Sequence, residues 1–194
     1  MSNKTEIKKE IVLKVAQDIF AKYGLSKTTI EDIAKAAGVG KSSIYYYFKN
    51  KDDIFRAVIE AQVKYVQEKI RNAINEAQTP QEKLKKFVVT RMRCFREVAH
   101  IFEHVFKNEY LQHYAYVQKI RKDYDQQEVD IINSILKEGI EQGIFKIQDP
   151  NLASFVIMLG IKGLEYEWAT AEDSQKLEQD TDKLFEILFY GIVK

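Results

Sequence analysis

Residues 38 to 51 read GVGKSSIYYYFKNK, which crowds three lysines, two serines and three tyrosines around Ile44 and Phe48. These side chains do not make a catalytic set, because no nucleophile stands at a workable spacing from a base and an orienting partner. Their chemistry is that of contact. Ammonium groups pair with phosphates, hydroxyls reach phosphate oxygens or base edges, and aromatic edges lie against thymine methyls. The other chemically suggestive group is the histidines, all three of which fall between residues 100 and 113. His100 and His104 are spaced for one metal ion on a helix, with Glu97, Glu103 or His113 as further ligands. Neither an HExxH pattern nor a cysteine pair accompanies them. The expectation is therefore no metal, no other cofactor, no catalytic residue and no enzyme activity.

The contact groups need a scaffold, and the flanking pattern supplies one. Val12, Ala16, Ile19, Phe20 and Tyr23 share one helical face, and Gly24 ends that helix. Thr28 is the expected N-cap of the next helix, with Glu31 completing a capping box. Ile30, Ile33, Ala34 and Ala37 then form a short stripe before Gly38. Two such helices separated by Ala37-Gly38-Val39 predict a helix-turn-helix, with small alanines for close approach and glycine for the turn. On the third helix Ile44 and Phe48 define the inner face. At about 100° per residue, Ser42 and Tyr46 point away from it, Ser43 and Tyr45 flank them, and Lys41 and Tyr47 sit near the edges.

Further along, Asn50 precedes a helix expected from Lys51 to about Ala77, and Thr79-Pro80-Gln81-Glu82 carries the signature of another start. Asp149-Pro150 repeats the cap-plus-proline pattern after Gly143. A polar stretch, Ser174 to Asp182, separates two last apolar helices at about 151–171 and 178–193. No segment alternates with period two, so the chain is expected to be all-α, with about nine helices.

Composition narrows the partners. Of 194 residues, 45% are hydrophobic and 30% charged, with only two prolines. The net charge of +1 is unevenly spread: residues 1–56 carry eleven Lys/Arg against seven Asp/Glu, and the remainder nineteen against twenty-two. A basic head on a mildly acidic body suits a polyanion bound by the head alone. The single cysteine, Cys94, makes no disulfide framework. Nothing resembles a signal peptide, and no apolar run approaches the roughly 18 residues of a membrane span. A cytoplasmic protein without a membrane partner is expected.

The run Thr28-Thr29-Ile30-Glu31-Asp32-Ile33-Ala34-Lys35-Ala36-Ala37-Gly38-Val39, followed by Tyr45-Tyr46-Tyr47-Phe48 and Lys51, closely resembles the TetR family of transcriptional regulators. The resemblance covers about 50 residues. It implies a DNA-binding domain at 1–50 and a ligand-binding and dimerisation domain at 51–194. It also implies a homodimer on a palindromic operator, usually acting as a repressor, released by a small-molecule effector. Carried over by position, Thr28 and Thr29 fall at the start of the second helix, with Thr29 as a phosphate contact. Lys41, Ser42, Ser43, Tyr45 and Tyr46 become groove or phosphate contacts, and Tyr47 and Lys51 backbone clamps. Gly40, Ser42 and Tyr46 depart from common family choices, so the operator sequence does not carry over.

The body of the chain offers two further patterns. Met92, Phe95, Phe102, Phe106, Tyr110, Tyr114, Tyr124 and Trp168 could line an apolar cavity for a hydrophobic or planar ligand, or be ordinary core. Phe155, Leu159, Gly163, Phe185, Leu188 and Phe189 lie on the last two helices, which pair across a two-fold axis in the family. A helical lipid-binding or adaptor protein without DNA function, and a metal-assisted enzyme, are the competing readings of the same pattern.

Overall fold

The computed structural model describes the backbone of residues 2–108, 110–170 and 174–190, and side chains within these except at 2–7, 98–118, 121, 165–170, 174–178, 180, 188 and 190. Among the described residues there are eight helices and no strand, as the all-α reading requires. They are α1 (Ser2–Tyr23), α2 (Ile30–Ala36), α3 (Lys41–Tyr47), α4 (Lys51–Asn75), α5 (Pro80–Asn108), α6 (Tyr110–Glu141), α7 (Pro150–Thr170) and α8 (Ser174–Tyr190). The count falls one short of expectation because 80–141 supplies only two helices, both long. The polar run from Ser174 is no separator. It forms the first turns of α8. No described helix is long and apolar enough to cross a membrane.

The chain divides into two compact units, Met1–Tyr65 with Val98–Gln118 and Val66–Glu97 with Lys119–Lys194. In the first, Val12, Ala16 and Phe20 of α1 are buried with Leu25, Ile33, Ala34, Ile44, Phe48, Ile54 and Phe55. Phe20 meets Phe55 edge-on with centroids 5.9 Å apart, an arrangement favoured by the ring quadrupoles. Tyr23, expected on the inner stripe of α1, is instead 54% exposed, because Gly24 turns the chain away with φ 81°.

The second unit is built around Ile70, Leu84, Phe87, Met92, Ile132, Ile135, Leu136, Met158, Ile161 and Phe185. Its helix starts match the sequence signatures. The Thr79 hydroxyl accepts from the Glu82 N–H at 3.2 Å, and the Glu82 carboxylate accepts from the N–H groups of Gln78 and Thr79. Asp149 Oδ1 accepts from the N–H groups of Asn151 and Leu152. At the end of α6 the Gly139 carbonyl accepts from Ile144 and Phe145. The Phe145 ring covers Gly139 so closely that a β-carbon there would stand 2.1 Å from it.

Candidate nucleic-acid interface

Three short-range devices hold α2, α3 and the start of α4 at fixed angles. Thr29, not Thr28, caps α2: its hydroxyl accepts from the Asp32 N–H at 3.1 Å, and the Asp32 carboxylate accepts from the Thr29 N–H at 2.9 Å. These bonds, the Thr29 hydroxyl foremost, hold the Asp32 carboxyl below its ordinary pKa. The exit from α2 is a Schellman turn, with Val39 N–H donating to the Ala34 carbonyl and Gly38 N–H to that of Lys35. It requires the left-handed backbone that Gly38 supplies at φ 64°. Asn50 Oδ1 accepts from the Asp53 N–H at 2.8 Å while the Asp53 carboxylate accepts from Lys49, a further box at the head of α4.

Recognition helix α3 has no such cap, since Gly40 offers no side chain. It is pinned by Ile44, fully buried, and by Phe48 at its C-cap. The opposite face is open: Tyr46 is 78% exposed and Tyr45 53%, Lys41 and Ser42 are exposed, and Ser43 and Tyr47 are half-buried. That order reproduces the angular expectation. The Tyr46 and Tyr47 rings meet edge to face at 5.0 Å, so the triplet splits into an outward group and an edge group. Lys41 Nζ pairs with Glu31 Oε2 at 2.8 Å, tying the first residue of α3 back to α2. Sequence reasoning missed this partner, although Glu31 and Lys41 stand on facing sides of the turn.

Two expected contacts point inward. Thr28 is only 2% exposed, and its hydroxyl donates to the Gly24 carbonyl at 2.7 Å, closing the end of α1. A β-branched residue one position before the cap has its hydroxyl turned to the preceding helix rather than to solvent. Lys51 Nζ donates to the carbonyls of Leu25 at 2.6 Å, Thr28 at 2.8 Å and Ser26 at 3.4 Å. Its three donors are thus engaged on the α1–α2 loop rather than presented as a phosphate clamp.

Of the expected cavity residues, Met92 is buried in the second core, while Phe95 and Tyr124 are half-buried. The side chains of Phe102, Phe106, Tyr110, Tyr114 and Trp168, like those of His100, His104 and His113, lie outside the described residues. What sequence reasoning missed is a buried ion pair in the second unit, Arg91 Nε to Glu128 Oε2 at 2.7 Å. Both charges occupy core register, one turn from Phe87 and Ile132, and that mismatch was a usable sign. Burial pushes the Glu128 carboxyl up against the downward pull of Arg91.

The last two helices divide. Phe155 and Leu159, with Leu152 and Val156, are each more than half exposed on α7, and Gly163 lies exposed on the same helix. Phe185 is 6% exposed and belongs to the core, so it is not available to a partner. Phe189 packs beside it at 5.4 Å between centroids, and the Leu188 side chain lies outside the described residues.

A capped, braced helix-turn-helix with a polar, aromatic and basic outer face is the reading head of a DNA-binding regulator. Comparison with known proteins agrees. Residues 12–58 match the family model for bacterial regulatory proteins of the tetR family, and residues 77–192 match that for the tetracyclin repressor-like C-terminal domain. The chain belongs to the TetR family, and is a ligand-responsive, DNA-binding transcriptional regulator. It is 26% identical to the HTH-type transcriptional regulator YhgD of Bacillus subtilis, over 83% of this chain and 84% of that one. To the fatty acid metabolism regulator protein of the same organism it is also 26% identical, over 93% of each. The solved structure of Bacillus subtilis FadR in complex with stearoyl-CoA superposes with a TM-score of 0.67 at 25% identity, covering 95% of this chain and 99% of that one.

Proposed function

We propose that the protein is a cytoplasmic homodimeric repressor that reads a palindromic operator through α3 and leaves it when an apolar effector binds the C-terminal domain. The observation that carries the DNA half of this reading is the outward face of α3, where Ser42, Tyr45 and Tyr46 stand exposed on a helix fixed by two buried anchors. One seven-residue helix reaches few bases, so specific recognition calls for a symmetric pair reading two half-sites. The apolar stripe Leu152, Phe155, Val156 and Leu159 supports that pairing, because a two-fold contact repeats one patch on both subunits.

The division into a DNA-binding segment at 1–50 and a ligand and dimerisation segment at 51–194 belongs to the same proposal, as does the absence of catalytic work. Relatives named for fatty acid metabolism, one of them complexed with stearoyl-CoA, support an effector bearing a long apolar chain. The effector acts by binding more tightly to the form whose recognition helices do not fit the operator. A hundredfold loss of operator affinity needs about 2.7 kcal/mol of such preference, an ordinary coupling energy.

Selection of DNA from a random pool by the purified protein tests this reading. A palindromic consensus is expected. Enrichment of nothing, even at low salt, would overturn the DNA-binding role in favour of a helical adaptor.

A further inference from the structure

The second unit holds more buried polarity than its packing needs. Arg91 is 4% exposed and Glu128 1%, joined by the single 2.7 Å bond from Nε to Oε2. Asp125, one residue after Tyr124 on α6, pairs with Lys162 of α7. Around these pairs three atoms are buried without a hydrogen bond: Glu128 Oε1, Asp125 Oδ1 and the Tyr124 hydroxyl. Tyr124 and Glu128 are four apart on α6 and so share a face. The hydroxyl lies beside the carboxylate but outside hydrogen-bonding geometry. Burial, reinforced by Glu128, raises the phenol above its ordinary pKa, so it remains an O–H donor.

Folded proteins leave few buried polar atoms unmatched, and each one forfeits its hydration for nothing. Three within two turns of one helix form a cluster looking for a partner. A buried ion pair is also a poor stabiliser compared with apolar side chains of the same volume. The cluster is therefore not explained by folding.

We infer that Glu128 Oε1 and the Tyr124 hydroxyl form the polar end of the effector site, and that they select an uncharged head group able both to donate and to accept. An amide or an alcohol on an apolar body fits this description. The inference rests on the C-terminal domain being the effector domain. An amide N–H donates to Glu128 Oε1 while its carbonyl accepts from Tyr124; an alcohol does both through one oxygen. Charge balance decides against other heads. Arg91 and Lys162 offset Glu128 and Asp125, so a carboxylate or an ammonium would enter as an unbalanced buried charge. A carboxylate would in addition face the oxygens of two acidic side chains.

The test uses the full-length protein, with and without its selected operator, and ten-carbon probes below their micellar concentrations: decanamide, decanol, decanoate and decylamine. Decanamide or decanol is expected to raise the melting temperature and bind at least about tenfold more tightly than either charged probe. Tyr124→Phe is expected to keep its melting temperature, because the hydroxyl has no bond to lose, and to bind decanamide about three- to tenfold more weakly. Charged probes that bind as well as decanamide, a Tyr124→Phe protein that binds it unchanged, or no binding by any probe would each overturn the assignment. Preferential binding of the neutral probes without release of operator would leave the site standing and refute the effector-release mechanism instead.

Discussion

Replacing Lys51 by methionine keeps the aliphatic stem and removes the ammonium, which separates two roles for this residue. The structure gives the ammonium two short bonds, to Leu25 and Thr28 carbonyls at 2.6 and 2.8 Å, and a longer one to Ser26. At about 1.5 kcal/mol for each short charge-assisted bond, less about 1 kcal/mol for ordering a lysine side chain, their loss costs about 2 kcal/mol. For a chain of this size that corresponds to a fall of about 4–8 °C in melting temperature. Operator and random DNA should both bind more weakly, because the loop carrying the Thr29 cap is no longer held to the head of α4. The dependence of log affinity on log salt should stay unchanged, since every phosphate keeps its cation. Titrations by fluorescence anisotropy between 50 and 200 mM salt (a range set by the assay, on the order of that in which such slopes are read) measure this. A slope shallower by about 0.9 for each phosphate left without its cation, with an unchanged melting temperature, would refute the reasoning and restore Lys51 as a phosphate clamp.

Other expectations follow from the same geometry. Thr29→Ala removes the α2 cap and should cost about 1 kcal/mol by urea denaturation, with a matching loss of DNA affinity. Gly139→Ala should cost about 1–3 kcal/mol, because its β-carbon would displace the Phe145 ring from 2.1 Å. The caps also set an acid limit. Hydrogen bonds from Gln78 and Thr79 hold Glu82 below 4.5, and the Thr29 bonds hold Asp32 below 3.8. Groups with lowered folded values stabilise above the unfolded value and lose that contribution as pH falls through the folded one, so helicity by circular dichroism should decline below about pH 4. Glu82→Gln should flatten part of that decline. Leu159→Glu should yield a monomer in sedimentation velocity that no longer binds a palindromic site; a stable dimer would place the two-fold contact elsewhere.

The reading head was largely legible from sequence because its rules are local. Helical periodicity around Ile44 and Phe48 ordered the exposures of residues 41–47 without any knowledge of tertiary packing. The choice between Thr28 and Thr29 was not legible in that way, since either can precede a helix and Asp32 and Glu31 are both acidic. Only the return of the Thr28 hydroxyl to the Gly24 carbonyl decides it. Lys51 misled for a related reason: its destination is a set of carbonyls more than twenty residues away. In the body, polarity was taken as interruption at Ser174–Asp182, where it is the solvated face of α8. Conversely, Phe185 and Phe155 looked alike in the apolar pattern, and only packing sends one to the core and leaves the other exposed.

The bare start of α3 has a consequence for how this protein can change. A seven-residue helix without a side-chain cap contributes little stability of its own, and Ile44 with Phe48 provides nearly all its attachment. Positions 42, 45 and 46 are then free of folding duties, because nothing buried depends on them. Substitution there can rewrite which DNA sequence is preferred while the scaffold stays as it is. The reading surface behaves as interchangeable type set in a fixed frame, and new target sites are reachable by single residue changes.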